Sequence, residues 1–266
     1  MRRVALVGCL ALAVVGCQRK HVSVGSVPEL GYPTCGGRAL AQGVTIASGF
    51  LRSGPNMPTT DVTERFEVRR RDCVTVVRAR QEWSQGTADV DVVYDASGLP
   101  LRAWRRTLPP GVPTARGHED LRRYELRTPE VTIKRRAPDG HVEREILRGP
   151  RPDAVITPGR GTLTPWLQHA HLRVGQTVRE PVLDIREDIE SIRVVPLHRD
   201  RDRFDTLLGR TVRVYTLFGR DTVFADEHDV VVGDLMGLRP DAALTTPAPP
   251  PMPLLGPVDP ESGDGL

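Results

Sequence analysis

Residues 131–147 read VTIKRRAPDGHVEREIL and carry the clearest structural signal in the chain. Val131 and Ile133 alternate with polar residues, and a second alternating segment begins at Val142. A period of two places apolar side chains on one face of a strand and polar side chains on the other. Asp139 and Gly140 between two such segments are a strong indication of a β-hairpin. The stretch therefore predicts an antiparallel hairpin with one buried and one solvated face.

Similar segments lie on both sides of this hairpin. Short turns, which join antiparallel strands rather than parallel ones, are predicted at 95–98, 138–140 and 226–229. The protein is therefore predicted to be mainly β, a curved antiparallel sheet or half-barrel in which residues 66–147 and 177–232 form one sheet. The predicted strands are 66–69, 73–80, 90–94, 99–105, 124–127, 131–135, 142–147, 177–183, 189–197, 211–217, 221–225 and 230–233.

One short helix is predicted at residues 165–170. Thr164 has the side chain of a helix cap, and Pro165 suits the first helical position because that position needs no N–H donor. The apolar Trp166 and Leu167 are expected to cover one end or the concave face of the sheet.

The N-terminal residues 1–17 read MRRVALVGCLALAVVGC. Two arginines precede an uncharged apolar run that is shorter than the roughly 20 residues of a membrane-spanning helix. A basic start followed by a short apolar run is typical of a secretory signal peptide. The alternatives to the more specific interpretation that follows are a plain signal peptide or a buried apolar segment, each with an incidental cysteine.

Residues 14–17, Val-Val-Gly-Cys, resemble the lipobox of bacterial lipoproteins. The resemblance implies that Cys17 becomes the first residue and carries acyl chains, including palmitate, that anchor the protein to a membrane. Cys9 is then an apolar residue of the signal. Gln18 follows the lipidated cysteine, and similarity to enterobacterial sorting implies a cell-envelope protein at the outer membrane, facing the periplasm.

The predicted organisation has four parts. Residues 1–16 are the signal peptide, and 17–60 are the lipidated N-terminus with a tether and loops. Residues 61–238 form the antiparallel β domain, and a division into halves 61–150 and 160–238 stays open. Residues 239–266 are Pro-rich and are expected to be a disordered tail, because they lack the apolar residues of a core.

The charge of the chain argues against nucleic acid as a partner. The formal net charge is +3 at pH 7, and Arg2 and Arg3 of the signal contribute to it. Basic and acidic residues interleave throughout, whereas a nucleic-acid binder concentrates basic residues on one face.

Two cysteines remain after lipidation, Cys35 and Cys73. An oxidising compartment favours a disulfide between them. Such a bridge closes a loop of about 38 residues and would stabilise the fold by about 3–4 kcal/mol. The alternative is a cysteine nucleophile of the transglutaminase-like type, but no His and Asp partners follow at that family's spacing.

Two groups of residues could bind a metal ion. His169 and His171 could chelate on a strand, but at a helix end alternate residues diverge. An acidic patch could attract Ca²⁺, but three neighbouring arginines neutralise it. We therefore predict no metal site, no cofactor and no catalytic residues. The patch consists of Asp184, Glu187, Asp188 and Glu190, and its arginines are Arg179, Arg186 and Arg193.

Residues 162–238 resemble the second half of an uncharacterised family of bacterial periplasmic β-domains. The shared elements are the short helix, a turn with Leu172 and Gly175, a strand ending near Asp184 and an acidic turn at 223–226. The chain is also similar in character to lipoprotein carriers of the LolA/LolB type, in which a lipid-anchored sheet curls around a hydrophobic cavity. The resemblance covers about a third of the chain, and it implies an architecture rather than an activity.

Two function classes follow from these observations. The first is a lipid-anchored, non-enzymatic envelope protein whose β domain binds a partner protein or a lipophilic ligand. The second is a cell-envelope hydrolase with an unrecognised active site, so enzymatic activity stays uncertain and is the less favoured reading. An open apolar cavity would indicate a lipophilic ligand, whereas a filled interior would indicate a docking module.

Overall fold

The computed structural model describes residues 44–54, 62–71, 74–110, 120–127, 129–136, 141–186 and 189–241. Cys17, Cys35 and Cys73 lie outside these ranges, as do most of the predicted tail and the 138–140 turn. Lipidation and the disulfide therefore stay predictions. Within the described ranges, no helix is both long and apolar enough to cross a membrane.

The larger sheet has nine strands and is antiparallel throughout. Its order is β16-β1-β2-β3-β4-β5-β6-β7-β8, a meander closed at one side by the last strand of the chain. Its strands are β1 (Val44–Ser53), β2 (Thr63–Arg71), β3 (Val74–Trp83), β4 (Gly86–Asp95), β5 (Pro100–Leu108), β6 (Asp120–Arg127), β7 (Glu130–Arg136), β8 (Val142–Arg148) and β16 (Leu238–Pro240). The predicted hairpin is confirmed by the pairing of β7 with β8, in which Arg136 lies opposite Val142.

The smaller sheet has seven strands and faces the larger one. Its order is β15-β14-β13-β11-β10-β9, with β12 paired to β13. Its strands are β9 (Ala154–Ile156), β10 (Thr177–Asp184), β11 (Ser191–Arg199), β12 (Arg203–Asp205), β13 (Arg210–Leu217), β14 (Asp221–Ala225) and β15 (Val231–Asp234). The two sheets meet where β15 lies beside β16.

The mainly β, half-barrel fold with one short helix is confirmed, but the prediction of a single sheet is wrong. The two predicted halves form separate sheets, and β9 pairs with β10 in parallel. The segment between β9 and β10 contains the helix, and a helical crossover of this length permits parallel pairing. In addition, β1 lies within the segment predicted as tether and loops, and β16 and Asp241 extend the described fold just past the predicted start of the tail at residue 239.

The helix, α1 (Thr164–Ala170), begins one residue before the predicted position. A 3-10 turn at Gly161–Leu163 precedes it, and Leu163 rather than Thr164 occupies the cap position. Thr164 instead accepts a hydrogen bond from the backbone N–H of Val231 at 3.2 Å. The cap prediction was therefore wrong, because the threonine hydroxyl ties the helix to the smaller sheet.

Side chains of both sheets and of α1 fill the interior in one continuous apolar cluster. Trp166 and Leu167 of α1 are fully buried in it, as predicted. The indole N–H of Trp166 donates to the Glu180 carboxylate at 2.5 Å. The larger sheet contributes Phe66, Val92 and Tyr124, and the smaller sheet contributes Leu183, Val195 and Tyr215.

The ring of Phe66 sits between two glycines. A Cβ atom added at Gly161 would lie 2.1 Å from Phe66 Cγ, and one added at Gly49 would lie 2.3 Å from Phe66 Cε1. Both distances are far below van der Waals contact, so each position accepts a side chain only if the ring moves. Small residues therefore let the 3-10 turn and β1 approach the buried ring.

The disulfide prediction can be checked directly. If Cys35 and Cys73 are bridged, a thiol-alkylating reagent should leave both unmodified in protein extracted without reductant, and should modify both after reduction. Mass spectrometry of the alkylated peptides reads the result. Two free thiols before reduction would contradict the bridge and restore the alternative of a reactive cysteine.

Candidate functional site: a histidine-bearing groove

A groove with a volume of about 1070 Å³ opens at one end of the larger sheet. Its walls are the ends of β1 to β4, the turn that follows β4, the C-terminal half of α1 and the turn between β14 and β15. We call it the histidine groove, because His169, His171 and His228 line it. Its lining consists mostly of polar and charged side chains, in contrast to the apolar interior.

Helix α1 brings two of these histidines to the groove. His169 lies in its last turn, and His171 follows the helix in a left-handed conformation with φ of 44°. The sequence predicted that the two imidazoles would diverge, yet both line the same groove. The ring of His169 packs on the turn after β4, since a Cβ added at Gly98 would lie 2.8 Å from His169 Nδ1.

The turn between β14 and β15 supplies the third histidine. Asp226 Oδ1 accepts hydrogen bonds from the backbone N–H groups of His228 and Val230, both at 2.9 Å. This is the local chemistry on which the turn prediction rested. The side-chain amide of Gln168 donates to the carbonyl oxygen of His228 at 2.9 Å. This hydrogen bond therefore joins the helix to the turn beside His169 and His228.

The turn after β4 forms the opposite wall. Asp95 Oδ1 accepts from the backbone N–H groups of Ser97 and Leu99, and from the Ser97 hydroxyl. Burial alone would raise the pKa of Asp95. These hydrogen bonds and the Arg151 guanidinium at 3.3 Å outweigh burial and hold that pKa below its usual range. Asp95 therefore stabilises the turn and forms an ion pair with Arg151.

A buried network forms the floor. The Tyr215 hydroxyl donates to Asp229 Oδ1 at 2.6 Å, and Arg213 donates to Asp229 Oδ2 at 2.7 Å. Asp229 is buried, and its backbone lies in the left-handed region with φ of 60°. Burial, then the hydrogen bond to Asp229, raises the pKa of Tyr215. The phenol therefore stays neutral and acts as a donor.

The remaining charged side chains of the groove are exposed and form fewer hydrogen bonds and ion pairs with described residues. Arg70 is exposed and forms no ion pair with any described residue. Glu227 and His228 are exposed neighbours on the turn, with a 3.9 Å separation between Glu227 Oε1 and His228 Nε2. Across the described ranges, no three His, Cys, Asp or Glu side chains lie close enough together to hold a metal ion.

The predicted acidic patch lies away from the groove and is split. Asp184 pairs with Arg186 at 2.9 Å and approaches Arg193 at 3.7 Å, as the neutralisation argument expected. Glu190 instead turns toward the larger sheet, where it pairs with Arg122 and accepts from the Tyr124 hydroxyl at 2.9 Å. Glu187 and Asp188 lie outside the described residues.

A buried carboxylate that the sequence analysis missed lies on the inner face of β2. Glu64 is fully buried, and its two oxygens accept the backbone N–H groups of Arg160 at 2.8 Å and Gly161 at 2.6 Å. Burial raises the pKa of Glu64 to about 7, although these hydrogen bonds and the Arg160 charge oppose it. The sequence does indicate that Glu64 points inward, because Glu64, Phe66 and Val68 alternate along β2 and share one face of the strand.

No family model matches the chain, and no curated protein matches it. Two solved structures are similar to this chain. A DUF1089 family protein from Pseudomonas aeruginosa has a TM-score of 0.40 and 16% identity, over 74% of this chain and 96% of its own. A β-barrel-like protein of the domain of unknown function DUF1849 from Brucella abortus has a TM-score of 0.38 and 12% identity, over 69% and 78%. No family is assigned on this basis.

Proposed function

We propose that the protein is a lipid-anchored cell-envelope module, without enzymatic activity, that docks a partner protein in the histidine groove. The observation that carries the proposal is the filled interior. Both sheets and α1 contribute buried side chains to one cluster, so the concave face is occupied by the protein itself. A carrier of the LolA/LolB type would need that space for its ligand, which disfavours a lipophilic ligand.

The groove supports docking through its exposed polar groups. Arg70 and the three imidazoles can pair with a partner, while Asp229 and Asp226 are already engaged in the floor and the turn. These engaged groups fix the walls of the groove before any partner arrives. A preformed surface of this kind loses little conformational freedom on binding.

Two carboxyl groups with shifted pKa values, Glu64 and Asp95, give little support to the hydrolase alternative. Glu64, whose raised pKa would suit a general acid or base, is fully buried and bonded to two backbone N–H groups. Asp95 has a lowered pKa because it closes a turn. An acid–base catalyst must reach its substrate by a direct hydrogen bond or one water.

Site-specific photo-crosslinking tests the docking proposal. A photoreactive residue at Glu227, which is exposed in the groove, should give a discrete protein adduct in intact cells. The same residue at Glu143, exposed on β8 at another part of the molecule, should give none. Equal adducts from both positions, or none from position 227 at saturating irradiation, would contradict docking in the groove.

The membrane anchor has its own test. Because the sequence at 14–17 resembles a lipobox, labelled palmitate should enter the unmodified protein and be absent from the Cys17→Ala variant. Gel autoradiography of the purified proteins reads the difference. Equal labelling of the two proteins would remove the anchor from the proposal. Separation of the inner and outer membranes, followed by detection of the labelled protein, tests its assignment to the outer membrane.

A further inference from the structure

We propose that the outer face of strands β6 to β8 binds the anionic head groups of a phospholipid membrane. We call this surface the basic face, and its cationic side chains are Arg123, Lys134, Arg136, Arg144 and Arg148. The inference goes beyond the docking of a partner in the histidine groove, because none of the described residues that line the groove belongs to these strands.

The alternation of each strand sorts the charges between the two faces of the sheet. Ile133 of β7 lies in the core cluster, so its neighbour Lys134 points to the outer face. Leu147 of β8 packs against the same cluster, and Arg144, three positions earlier, therefore also points outward. The glutamates at 143 and 145 point to the other face. Basic and acidic residues that interleave in the sequence are thus separated in space.

Three of the cations form a row across the strands. The strand register places Arg123 opposite Lys134 and Lys134 opposite Arg144. Side chains in directly opposite positions have Cβ atoms about 5 Å apart, and like charges in such positions destabilise a sheet. Neither Lys134 nor Arg144 forms an ion pair with any described residue. An anion bound over the row would relieve this repulsion.

The carboxylates on this side of the sheet are already paired. Glu125 accepts from Nε of Arg123 at 2.7 Å and from Nε of Arg102 at 3.1 Å. Glu130 lies 3.6 Å from Nε of Arg148. The carboxylates of β4 on the same outer surface also pair with arginines. Two glutamates therefore stand against the five cations of the basic face, and the excess of positive charge attracts an anionic surface.

Exposed apolar side chains on the same face favour a lipid over other anions. Val142 and Ile146 lie two residues on either side of Arg144, share its face, and are 39% and 43% exposed. A phospholipid surface offers phosphates to the cations and apolar groups to these two side chains. A nucleic acid would stack its bases on aromatic rings, and the described side chains of the basic face include none.

Vesicle co-sedimentation of the full chain tests the proposal. Cys17→Ala is present throughout, so that no acyl chain contributes to binding. At low salt the chain should bind vesicles of phosphatidylcholine with about 30% phosphatidylglycerol at least tenfold more strongly than vesicles of phosphatidylcholine alone. Any contribution of the apolar residues 4–16 is common to both vesicles and cancels in this ratio. Salt at about 0.5 M should remove most of the preference. Equal binding to the two vesicles at low salt would overturn the proposal.

Matched substitutions locate the binding surface. K134Q with R144Q should reduce the preference for anionic vesicles at least fivefold. R201Q with R210Q, at two exposed positions next to β12, removes the same charge and should leave the preference within about twofold. Equal losses would show a general effect of net charge and overturn the assignment to the basic face. Because Lys134 and Arg144 repel each other, their substitution should not lower the midpoint of thermal unfolding.

A second pair of substitutions separates a membrane from a soluble polyanion. V142S with I146S keeps every charge and should weaken binding to the anionic vesicles at least threefold, with an unchanged circular dichroism spectrum. A short DNA duplex at equal phosphate concentration should not displace the chain from the vesicles. Displacement by the duplex, or binding that is indifferent to V142S with I146S, would overturn the lipid as the occupant. Palmitate labelling and crosslinking at position 227 test the anchor and the groove separately.

Discussion

Replacing Gly161 by alanine is expected to lower the free energy of unfolding by about 3 kcal/mol. The added Cβ would lie 2.1 Å from Cγ of Phe66, whose ring is fully buried and is held on another side by Gly49. The ring cannot retreat without displacing β1, so the strain spreads to the contact between the 3-10 turn and the larger sheet. Urea unfolding followed by tryptophan fluorescence measures the change.

Gly149 provides the matched control. A Cβ at that position would meet the side chain of Ile192, with Cδ1 at 3.1 Å and Cγ2 and Cβ at 3.5 and 3.6 Å, and the one tight contact is to the free end of that side chain. Gly149→Ala should therefore change the free energy of unfolding by less than about 1 kcal/mol. A similar loss in both variants would show that the Phe66 contact is not the cause.

A double substitution separates overpacking from a general effect at position 161. Phe66→Leu removes part of the ring and should cost about 1–2 kcal/mol alone. Because it also makes room for the new methyl group, Gly161→Ala should cost less in that background than in the original protein. The two losses should therefore not be additive, as expected for residues in direct contact. Strict additivity would refute the contact as the origin of the loss.

The sequence predicted the elements whose causes are local. The turn at 226–229 follows from Asp226, whose carboxylate caps two nearby N–H groups, and the β7–β8 hairpin follows from alternation on both sides of Asp139 and Gly140. Helix α1 was located to within one residue, because Pro165 marks its first turn. In each case the interacting groups lie within a few residues of one another.

The sequence did not predict the arrangements that depend on distant segments. Strand β16 pairs with β1 from the opposite end of the described chain, and no periodicity within either segment indicates its partner. The parallel pairing of β9 with β10 divides the strands into two sheets for the same reason. The histidine groove was missed because His228 joins His169 only when the β14–β15 turn packs against α1.

Glu64 could have been found from the sequence. In the segment TERFEVRRR, position 64 shares its strand face with Phe66 and Val68, so a carboxylate there points into the core. The sequence could not show what satisfies that carboxylate. The two backbone N–H groups come from residues 160 and 161, almost a hundred positions later. The inward direction was therefore predictable, but its partners were not.

The second large effect that we expect is a pH dependence of the free energy of unfolding, caused by Glu64. Burial raises its pKa from 4.5 to about 7 in the folded protein. Between those values the folded state holds a proton that the unfolded state has released, so raising the pH favours unfolding. The contribution of Glu64 to stability is greatest below pH 4.5 and falls by about 3 kcal/mol as the pH rises through 7. Carboxylates with lowered pKa values, such as Asp184 and Asp205, act in the opposite direction and only below about pH 4.

Glu64→Gln isolates this effect, because glutamine matches the protonated side chain in shape and charge and does not titrate. The difference in unfolding free energy between the unmodified protein and the variant should shift by about 3 kcal/mol in favour of the variant between pH 4.5 and 8. All other titrating groups are common to both proteins and cancel in this comparison. Urea unfolding at four or five pH values gives the curve. The prediction fails if the difference is constant with pH or moves in favour of the unmodified protein as the pH rises. Either result would mean that the two N–H groups of residues 160 and 161 outweigh burial and keep the carboxylate ionised in the core.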